Sequence, residues 1–374
     1  MDTARAHEEF LRTRIFPGLD GLRCLSIVLV VAYHVSGLHS GFVGRGYLGV
    51  SLFFGISGFL ITSLLLREHD SHGQISLGRF YGRRALRIFP LYYAVLSAYV
   101  VLTLLFERST MERADFFANL PAFLTYTSNW FVPLEPDKRI IFYFAWSLAT
   151  EEQFYLMWPG VMRAAHRWGA VFFMTGLLAI SLWAPWAVQT ERLDDSLLSV
   201  RILASFSPTI CMGCLAAYAL HSPRGFAWVY RALGQRWVPV LMMALVLLAV
   251  GTNGTPYWLT SMLMAALVVS SCIRTDHFLL PVLTLRPIRY VGMISYGVYL
   301  MHMIALNLVR RAAPGQGFAV NFPLTLALSV LMAGLSYRYF ESRFLRLKEK
   351  LAAGPSQPKA SPAPSPAPAS SPTP

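Results

Sequence analysis

The fold is decided by one apolar stretch, Phe16-Pro-Gly-Leu-Asp20-Gly-Leu-Arg23-Cys-Leu-Ser-Ile-Val-Leu-Val-Val-Ala-Tyr-His34, which carries charge at its start and an imidazole at its end. A helix rises about 1.5 Å per residue, so His34 is expected about 16 Å from Arg23, past the middle of a bilayer. Steps of about 100° bring both side chains onto one stripe of the helix. An ionisable group at that depth indicates a functional site. The alternative is that Arg23 anchors the helix at the interface and His34 is a hydrogen-bonded core residue.

The composition excludes an ordinary soluble protein. Of 374 residues, 55% are hydrophobic and 14% charged, and the mean hydropathy is +0.48. These values predict an all-α fold, a polytopic transmembrane helix bundle in a lipid bilayer. The net charge of +13 comes from short Lys and Arg clusters between apolar runs, which is typical of topology signals and not of nucleic-acid binding. We therefore expect no nucleic-acid partner. We also expect no metal, because Cys211-x-x-Cys214 lacks a second cysteine pair or a nearby histidine pair.

Apolar runs of spanning length predict about ten spanning helices. They lie at roughly 20–40, 47–66, 88–106, 140–161, 169–189, 199–220, 237–252, 256–273, 288–309 and 322–340. Most Lys and Arg residues fall in alternate loops, which predicts an inner (plasma) membrane protein with cytoplasmic N- and C-termini. We therefore expect a cytoplasmic segment at 1–15, a membrane-embedded domain at 16–346, and a disordered cytoplasmic tail, rich in Pro, Ala and Ser, at 347–374.

The second predicted span, residues 44–61, is rich in glycine and serine. Small residues at helical spacing let neighbouring backbones approach closely in lipid, so its predicted role is packing. Ser57 could also present a hydroxyl to the interior.

Four arginines precede the third span within nine residues: Arg79, Arg83, Arg84 and Arg87. Arg83 and Arg84 lie four and three residues before Arg87, so they share a helix face with it. Such a guanidinium cluster is well suited to phosphate groups. Anchoring by positive charge at the inner interface explains the same residues equally well.

The fourth span contains two adjacent carboxylates, Glu151 and Glu152. They cannot both face lipid. Adjacent helical residues differ by about 100°, so at most one is expected to point squarely into a shared interior. The other is expected to meet an arginine or to take up a proton.

Two further segments bear on the interior. The loop at 107–139 contains a semi-apolar piece, 116–130, which is expected to lie in the outer interface. His302 in the ninth span is expected at about the depth of His34. A hydrogen bond to a neighbouring helix and a direct role are both open for it.

Six motifs in chain order resemble those of the acyltransferase-3 family of integral membrane O-acyltransferases, over about residues 14–346. They are Leu19-Asp-Gly-Leu-Arg23 with ten residues before His34, Gly49-Val-x-Leu-Phe-Phe-x-x-Ser57-Gly-Phe-Leu-Ile, Arg84-x-x-Arg87 followed by Ile-Phe-Pro, Trp146-Ser-Leu-x-x-Glu151-x-Gln-Phe-Tyr155, Ser295-Tyr-x-x-Tyr-Leu-x-His302, and Phe340-Glu341. Ser51 departs from the aspartate that the second motif often has. Some relatives carry a periplasmic esterase-like domain after the core. The segment that follows the core here is rich in proline, so the resemblance implies a stand-alone core.

The resemblance implies transfer of an acyl group, most often acetyl, from acyl-CoA to a hydroxyl of a cell-surface or secreted glycan or a lipid-linked saccharide. His34 would be the base or a transient acyl carrier, Arg23 would orient the donor or stabilise negative charge, and Glu151 would orient a histidine or bind the acceptor. Arg83, Arg84 and Arg87 would hold the phosphates of acyl-CoA. The other candidates, with substrate-binding or structural roles, are Asp20, Ser57, Glu152, Tyr155 and His302.

Other functions remain open from sequence alone. The acceptor could be a secondary metabolite such as a glycosylated polyketide. Carboxylates and histidines inside a membrane also build the relays of proton-coupled transporters, although the sequence has no internal repeat of the kind that indicates transport. A non-catalytic subunit that scaffolds glycan assembly is a third possibility, which loss of His34 without loss of product would favour.

Overall fold

The structure is a computed structural model of the chain, and it describes residues 3–13, 15–38, 40–132 and 139–353. Helices dominate these residues and no strand occurs among them, which confirms the predicted all-α fold. In chain order the helices are α1 (Thr3–Arg12), α2 (Gly18–Ser36), α3 (Gly41–Gly44), α4 (Gly49–His72), α5 (Leu77–Phe106), α6 (Thr110–Leu124), α7 (Ser128–Phe131), α8 (Ala145–Ala164), α9 (Arg167–Gln189), α10 (Leu198–Ala204), α11 (Pro208–His221), α12 (Pro223–Leu233), α13 (Val238–Gly251), α14 (Tyr257–Cys272), α15 (Leu280–Leu283), α16 (Arg286–Met293), α17 (Ser295–Ala312), α18 (Phe318–Ser336) and α19 (Ser342–Ala353). A 3₁₀ turn, Gly46–Leu48, leads into α4, and a π-helical turn, Tyr337–Glu341, joins α18 to α19.

Several helices are long and apolar enough to cross a membrane, so the chain is a multi-pass membrane protein. Five helices among the described residues qualify by themselves: α2, α4, α5, α9 and α18. The span of α4 includes the 3₁₀ turn before it, and the span of α18 continues through the π-helical turn to Leu347. Three bent pairs, α10–α11, α12–α13 and α16–α17, raise the number from 5 to 8 if each pair forms one span. The other two predicted spans correspond to α14, which has 16 residues, and α8, whose centre is polar. The predicted count of ten is therefore only approximate.

The three bent pairs turn sharply at short breaks. Their helices meet at 48° in α10–α11, 72° in α12–α13 and 80° in α16–α17. Pro208 begins α11 and Pro239 is the second residue of α13. Proline has no amide hydrogen to give to a preceding turn, so it is suited to starting a new helix after a bend.

Helix α4 packs most closely against α11, and glycines make this possible. A Cβ atom on Gly58 would lie 2.2 Å from the Ile210 carbonyl oxygen, and one on Gly213 would lie 2.5 Å from that of Gly55. No real Cβ contact is this short, so the two backbones touch at these positions. This contact confirms the packing role that was predicted for the small residues of the second span.

Helix α2 runs from Gly18 to Ser36 and ends where Gly37 adopts a left-handed conformation, with φ of 62°. Glycine pays no Cβ penalty in that conformation and commonly follows the end of a helix. The helix thus stops before residue 40, where the first span was expected to end. His34 consequently lies in its last turn, near the end opposite Arg23.

The break after helix α6 packs against α5 and α8, and Phe116, Ala122 and Phe123 of α6 itself are buried. The hydroxyls of Tyr92 and Tyr93 on α5 donate to the carbonyls of Phe123 and Leu124 at 2.8 Å and 3.0 Å. Gln153 of α8 donates from Nε2 to the Tyr126 carbonyl at 2.8 Å. Residues 116–130 thus contact neighbouring helices, and their expected place in the outer interface stays a prediction. Carbonyls at a helix break need donors, and side chains near the middle of α5 and α8 supply them.

The two ends of the chain differ from simple tails. Phe10 of α1 is buried and its ring centroid lies 5.7 Å from that of Phe226 on α12. At the other end, α19 continues to Ala353. Residues 347–353, which were predicted to begin the disordered tail, are thus helical, because they extend the turn begun at Ser342. The rest of that predicted tail, 354–374, lies outside the described residues.

Candidate active site

A cavity of about 230 Å³ lies between α2, α4, α5, α8 and α17. Eight of the eleven predicted site residues line it: Arg23, Ser57, Arg83, Arg84, Arg87, Glu151, Glu152 and Tyr155. Much of the remaining wall is apolar and includes Leu60 and Leu64 of α4. Charged motifs that are far apart in the sequence therefore meet in one space.

Glu151 is the centre of a network in this cavity. Its Oε1 atom accepts hydrogen bonds from the hydroxyls of Ser57 and Tyr155. The same atom lies 3.6 Å from Nη2 of Arg84, and the exposed fractions of the two side chains are only 20% and 19%. The Arg84 guanidinium also stacks on the Tyr155 ring, 3.4 Å from its centroid. An ionised Glu151, which only accepts hydrogen bonds, suits this arrangement.

The other two predicted arginines differ in what they contact. Arg83 lies 3.6 Å from Glu68, near the end of α4. Arg87 lines the cavity as an exposed side chain and makes no ion pair or hydrogen bond with any residue that the structure describes. Sequence reasoning missed Glu68, although a carboxylate facing an arginine cluster across a short connection is a usable signal. Arg87 is the arginine that remains available to an anion.

Both adjacent carboxylates line the cavity, which corrects the expectation that at most one would point into a shared interior. The cavity reaches α8 from two directions. Glu151 faces Ser57 on α4 and Arg84 on α5, while Tyr296 of α17 lines the same space. A cavity bounded by three neighbouring helices accepts side chains that diverge by about 100°.

Arg23 reaches the cavity from α2 and is held there by a local ion pair. Its Nη1 atom lies 2.9 Å from Oδ1 of Asp20, one turn earlier in the same helix. Asp20 itself is not part of the cavity lining. Its contact to the site is therefore indirect, through Arg23.

His34 and His302 come together outside the cavity lining. Their ring centroids are 4.8 Å apart and the rings meet edge to face, at 62°. His34 is half-buried, whereas His302 has no exposed surface. The structure thus brings two predicted residues from distant parts of the chain into contact, and it separates both from the arginines.

Each imidazole is fixed by a backbone carbonyl. The Nδ1 atom of His34 lies 2.9 Å from the Val30 carbonyl oxygen, and Nδ1 of His302 lies 2.5 Å from that of Tyr299. A carbonyl only accepts, so both rings carry their proton on Nδ1 and leave a lone pair on Nε2. The two rings thus each have an Nε2 atom that no main-chain group binds, and the rings are in contact with each other.

Tyr299 connects the cavity with the histidine pair. It lines the cavity, and its ring centroid lies 5.6 Å from that of His302. Its hydroxyl donates to the Phe144 carbonyl at 2.9 Å and lies 2.5 Å from Oγ of Ser147, which also lines the cavity. Sequence reasoning missed Tyr299 and Ser147 as site residues, although Tyr299 lies one turn before His302 on the same helix.

The two parts of the site have complementary chemistry. The cavity offers an unpaired guanidinium and an ionic network, which together suit a polyanionic ligand. The histidine pair offers an imidazole nitrogen that can accept a proton from an acceptor hydroxyl. A ligand held by Arg87 and extended toward Tyr299 would present its far end to the imidazoles.

Comparison with known proteins gives a family match and several distant relatives. A family model described as an acyltransferase domain matches residues 16–338. The O-acetyltransferase OatA of Staphylococcus aureus (strain NCTC 8325 / PS 47) is 26% identical over 372 residues, with 90% of this chain and 58% of that protein covered. YrhL of Bacillus subtilis (strain 168), provisionally named a peptidoglycan O-acetyltransferase, is 27% identical over 368 residues, with 88% of this chain and 54% of YrhL covered. The chain thus spans less than two thirds of the length of these relatives. No solved structure matches.

Proposed function

Because the chain belongs to the acyltransferase-domain family, as its six motifs predicted, we propose that it transfers an acyl group from acyl-CoA to a hydroxyl of a glycan. The observation that carries the proposal is the unpaired Arg87 in a cavity that Tyr299 joins to two uncharged imidazoles. An anion site and a base on one path are what a phosphate-bearing donor and a hydroxyl acceptor require.

The proposed donor is acyl-CoA, with acetyl as the acyl group. Its phosphates would meet Arg87 first, since Arg83 and Arg84 already have carboxylate partners. Arg23, held by Asp20 at the same cavity, supplies a further positive charge. The apolar wall of α4 then accommodates the less polar part of an extended donor, and the thioester points toward Tyr299.

The proposed base is His34. Its Nε2 lone pair takes the proton of the acceptor hydroxyl while the oxygen attacks the thioester carbonyl carbon. A carbon–oxygen bond forms, the carbon–sulfur bond breaks, and the proton passes from His34 to the departing sulfur. The products are an acyl ester and coenzyme A. Glu151 stays ionised within its network and keeps Arg84 in place.

The proposed acceptor is a cell-wall or other surface glycan, or its lipid-linked precursor. The names of OatA and YrhL support O-acetylation, and the name of YrhL supports a peptidoglycan acceptor. A secreted metabolite that bears a sugar is the alternative acceptor within the same chemistry.

We place the protein in the inner (plasma) membrane with both termini in the cytoplasm. The distribution of Lys and Arg between alternate loops supports this orientation. Ser71, in the last turn of α4 and at its cytoplasmic end in this orientation, and Ser196, before α10, are both exposed and should lie on opposite sides. An impermeant maleimide applied to intact cells should label Ser196→Cys and not Ser71→Cys, and the reverse pattern would invert the orientation.

The function is tested by transfer of radiolabelled acetyl from acetyl-CoA to the glycan fraction of membranes. Wild type should label the glycan and His34→Ala should not, at equal protein abundance. His166→Ala, which removes an exposed histidine just before α9, is the matched control and should label normally. Full labelling by His34→Ala would remove His34 from the mechanism. No labelling by wild type with several acyl donors would favour proton-coupled transport instead.

A further inference from the structure

His302 has a buried nitrogen with nothing to bind. The residue has no exposed surface, and its Nε2 atom has no hydrogen-bond partner among the residues that the structure describes. Leaving a buried polar atom unpaired destabilises a fold, and each such atom therefore calls for an explanation. Packing alone does not supply one, because an apolar side chain of similar size would fill the position without that cost.

The surroundings of His302 explain the orphaned atom. Its ring contacts His34 at 4.8 Å, Phe144 at 5.3 Å and Tyr299 at 5.6 Å between centroids. Phe144 offers no donor, and the Tyr299 hydroxyl already donates to the Phe144 carbonyl. Neutral His34, with its proton on Nδ1, has only a lone pair on Nε2. None of these three ring neighbours can therefore donate a hydrogen bond to Nε2 of His302 while His34 is uncharged.

We propose that His302 is a positioning residue for His34 that acts only when His34 carries the proton of the acceptor, an inference that rests on the function proposed above. Once the acceptor oxygen has bonded to the acyl carbon, it no longer holds that proton. The new N–H of the His34 imidazolium then donates to Nε2 of His302. The proton returns from His34 to the sulfur of coenzyme A, and His302 is left unpaired again, as in the structure.

This interaction favours catalysis because it exists in the charged state and not in the resting state. Stabilisation that appears only as charge develops speeds the reaction without tightening substrate binding. A hydrogen bond to a charged group corresponds to roughly 10- to 100-fold in rate. Loss of Nε2 should therefore lower kcat by that factor and leave both KM values nearly unchanged.

Two substitutions separate this role from a structural one. His302→Asn keeps a donor near the place of Nδ1, where it can still bond the Tyr299 carbonyl, but it lacks Nε2. His302→Gln extends an amide oxygen toward the place of Nε2, where it can accept from His34. His277→Asn removes another buried histidine, in the segment between α14 and α15, and is the matched control.

The experiment measures kcat, both KM values and the Tm of the full-length protein for these variants. We expect a 10- to 100-fold loss of kcat in His302→Asn with unchanged KM, partial recovery in His302→Gln, and wild-type kinetics in His277→Asn. Wild-type kcat in His302→Asn, or a change in KM alone, would overturn this inference while leaving the acyltransferase function intact. His302→Gln no better than His302→Asn would also overturn it. Absence of transfer by wild type would overturn both proposals together.

Discussion

The two ends of helix α2 hold their polar groups in opposite ways. Around Arg23, cavity side chains pair with other side chains, as Glu151 does with Arg84, Ser57 and Tyr155, although the Nε atom of Arg84 has no partner among the described residues. Around His34, each imidazole is fixed by a main-chain carbonyl and keeps its second nitrogen free. Removing one charged member of a side-chain network leaves the charge of its partner uncompensated. An imidazole that is bonded to a main-chain carbonyl can be substituted without leaving an unpaired charge on a neighbouring side chain.

This difference assigns different costs to the two regions. Substitutions in the cavity network should lower the free energy of unfolding, since they strand a charge. Substitutions at the imidazoles should lower turnover with little loss of stability. Arg87 is the informative exception, because it lies in the cavity but has no partner to strand.

The largest expected loss of stability is for Glu151→Gln. It leaves the Arg84 guanidinium without its carboxylate in a site where Arg84 is only 19% exposed. Removing one member of such a pair costs about 3 kcal/mol of unfolding free energy. Thermal unfolding in detergent measures it, with Arg84→Gln and the double variant completing the cycle. If the double variant loses as much unfolding free energy as the two single variants together, Glu151 and Arg84 do not stabilise each other.

A smaller effect, on binding alone, is expected for Arg87→Ala. Loss of one free guanidinium should raise the KM for acyl-CoA about tenfold, equivalent to about 1.4 kcal/mol, with unchanged Tm. Arg87→Lys should recover part of the affinity, because it keeps the charge and loses the forked geometry. Arg83→Ala is the matched control, and since Arg83 is paired with Glu68 its KM should rise less. Equal rises in both variants would reduce Arg87 to one charge among several.

Ser57→Ala should have a moderate effect within the same network. It removes one hydrogen bond to Glu151 while Arg84 and Tyr155 remain. A lost hydrogen bond of this kind costs about 1 kcal/mol, which a Tm shift of a few degrees would report. A loss as large as that of Glu151→Gln would mean that Ser57, and not Arg84, keeps Glu151 in place.

The smallest effect is expected for Asp276→Asn, which removes a carboxylate outside the membrane-spanning helices. Hydrogen bonds from Arg274, with a contribution from Arg236, lower the pKa of Asp276 to about 2. Its side chain is 46% exposed, however, and exposed ion pairs contribute roughly 0–1 kcal/mol. A depressed carboxyl pKa gives stability that is fully present above the ordinary aspartate pKa of 3.8 and is lost as pH falls from there through about 2. The Tm difference from wild type should thus be small and constant between about pH 5 and 8, and a pH-dependent difference in that window would contradict this assignment.

The sequence predicted much of the cavity because its residues follow helical spacing. Arg83, Arg84 and Arg87 share one face of α5, as their intervals indicate, and they line one cavity. The polar run in α8 predicted an arginine partner for one glutamate, and Arg84 meets Glu151. These are properties of single helices, which a residue interval determines.

Contacts between distant segments were not predictable in the same way. Nothing in the intervals places His34 beside His302, since their contact depends on how α2 crosses α17. Hydropathy likewise measures composition and not direction, so it could not reveal the 80° bend between α16 and α17. The same limit hid the hydrogen bonds that the break after α6 accepts from α5 and α8, because hydropathy does not indicate which segments meet.

The break after α6 also constrains the order in which the chain completes its contacts during synthesis. Helix α6 has 15 residues, fewer than the roughly 20 that a spanning helix needs. The carbonyls at its end are satisfied by Tyr92 and Tyr93, made before it, and by Gln153, made after it. Until the ribosome has delivered α8, the Tyr126 carbonyl lacks its Gln153 donor. The break after α6 can therefore complete its contacts only once α8 has been made, so a segment made earlier reaches its final place later.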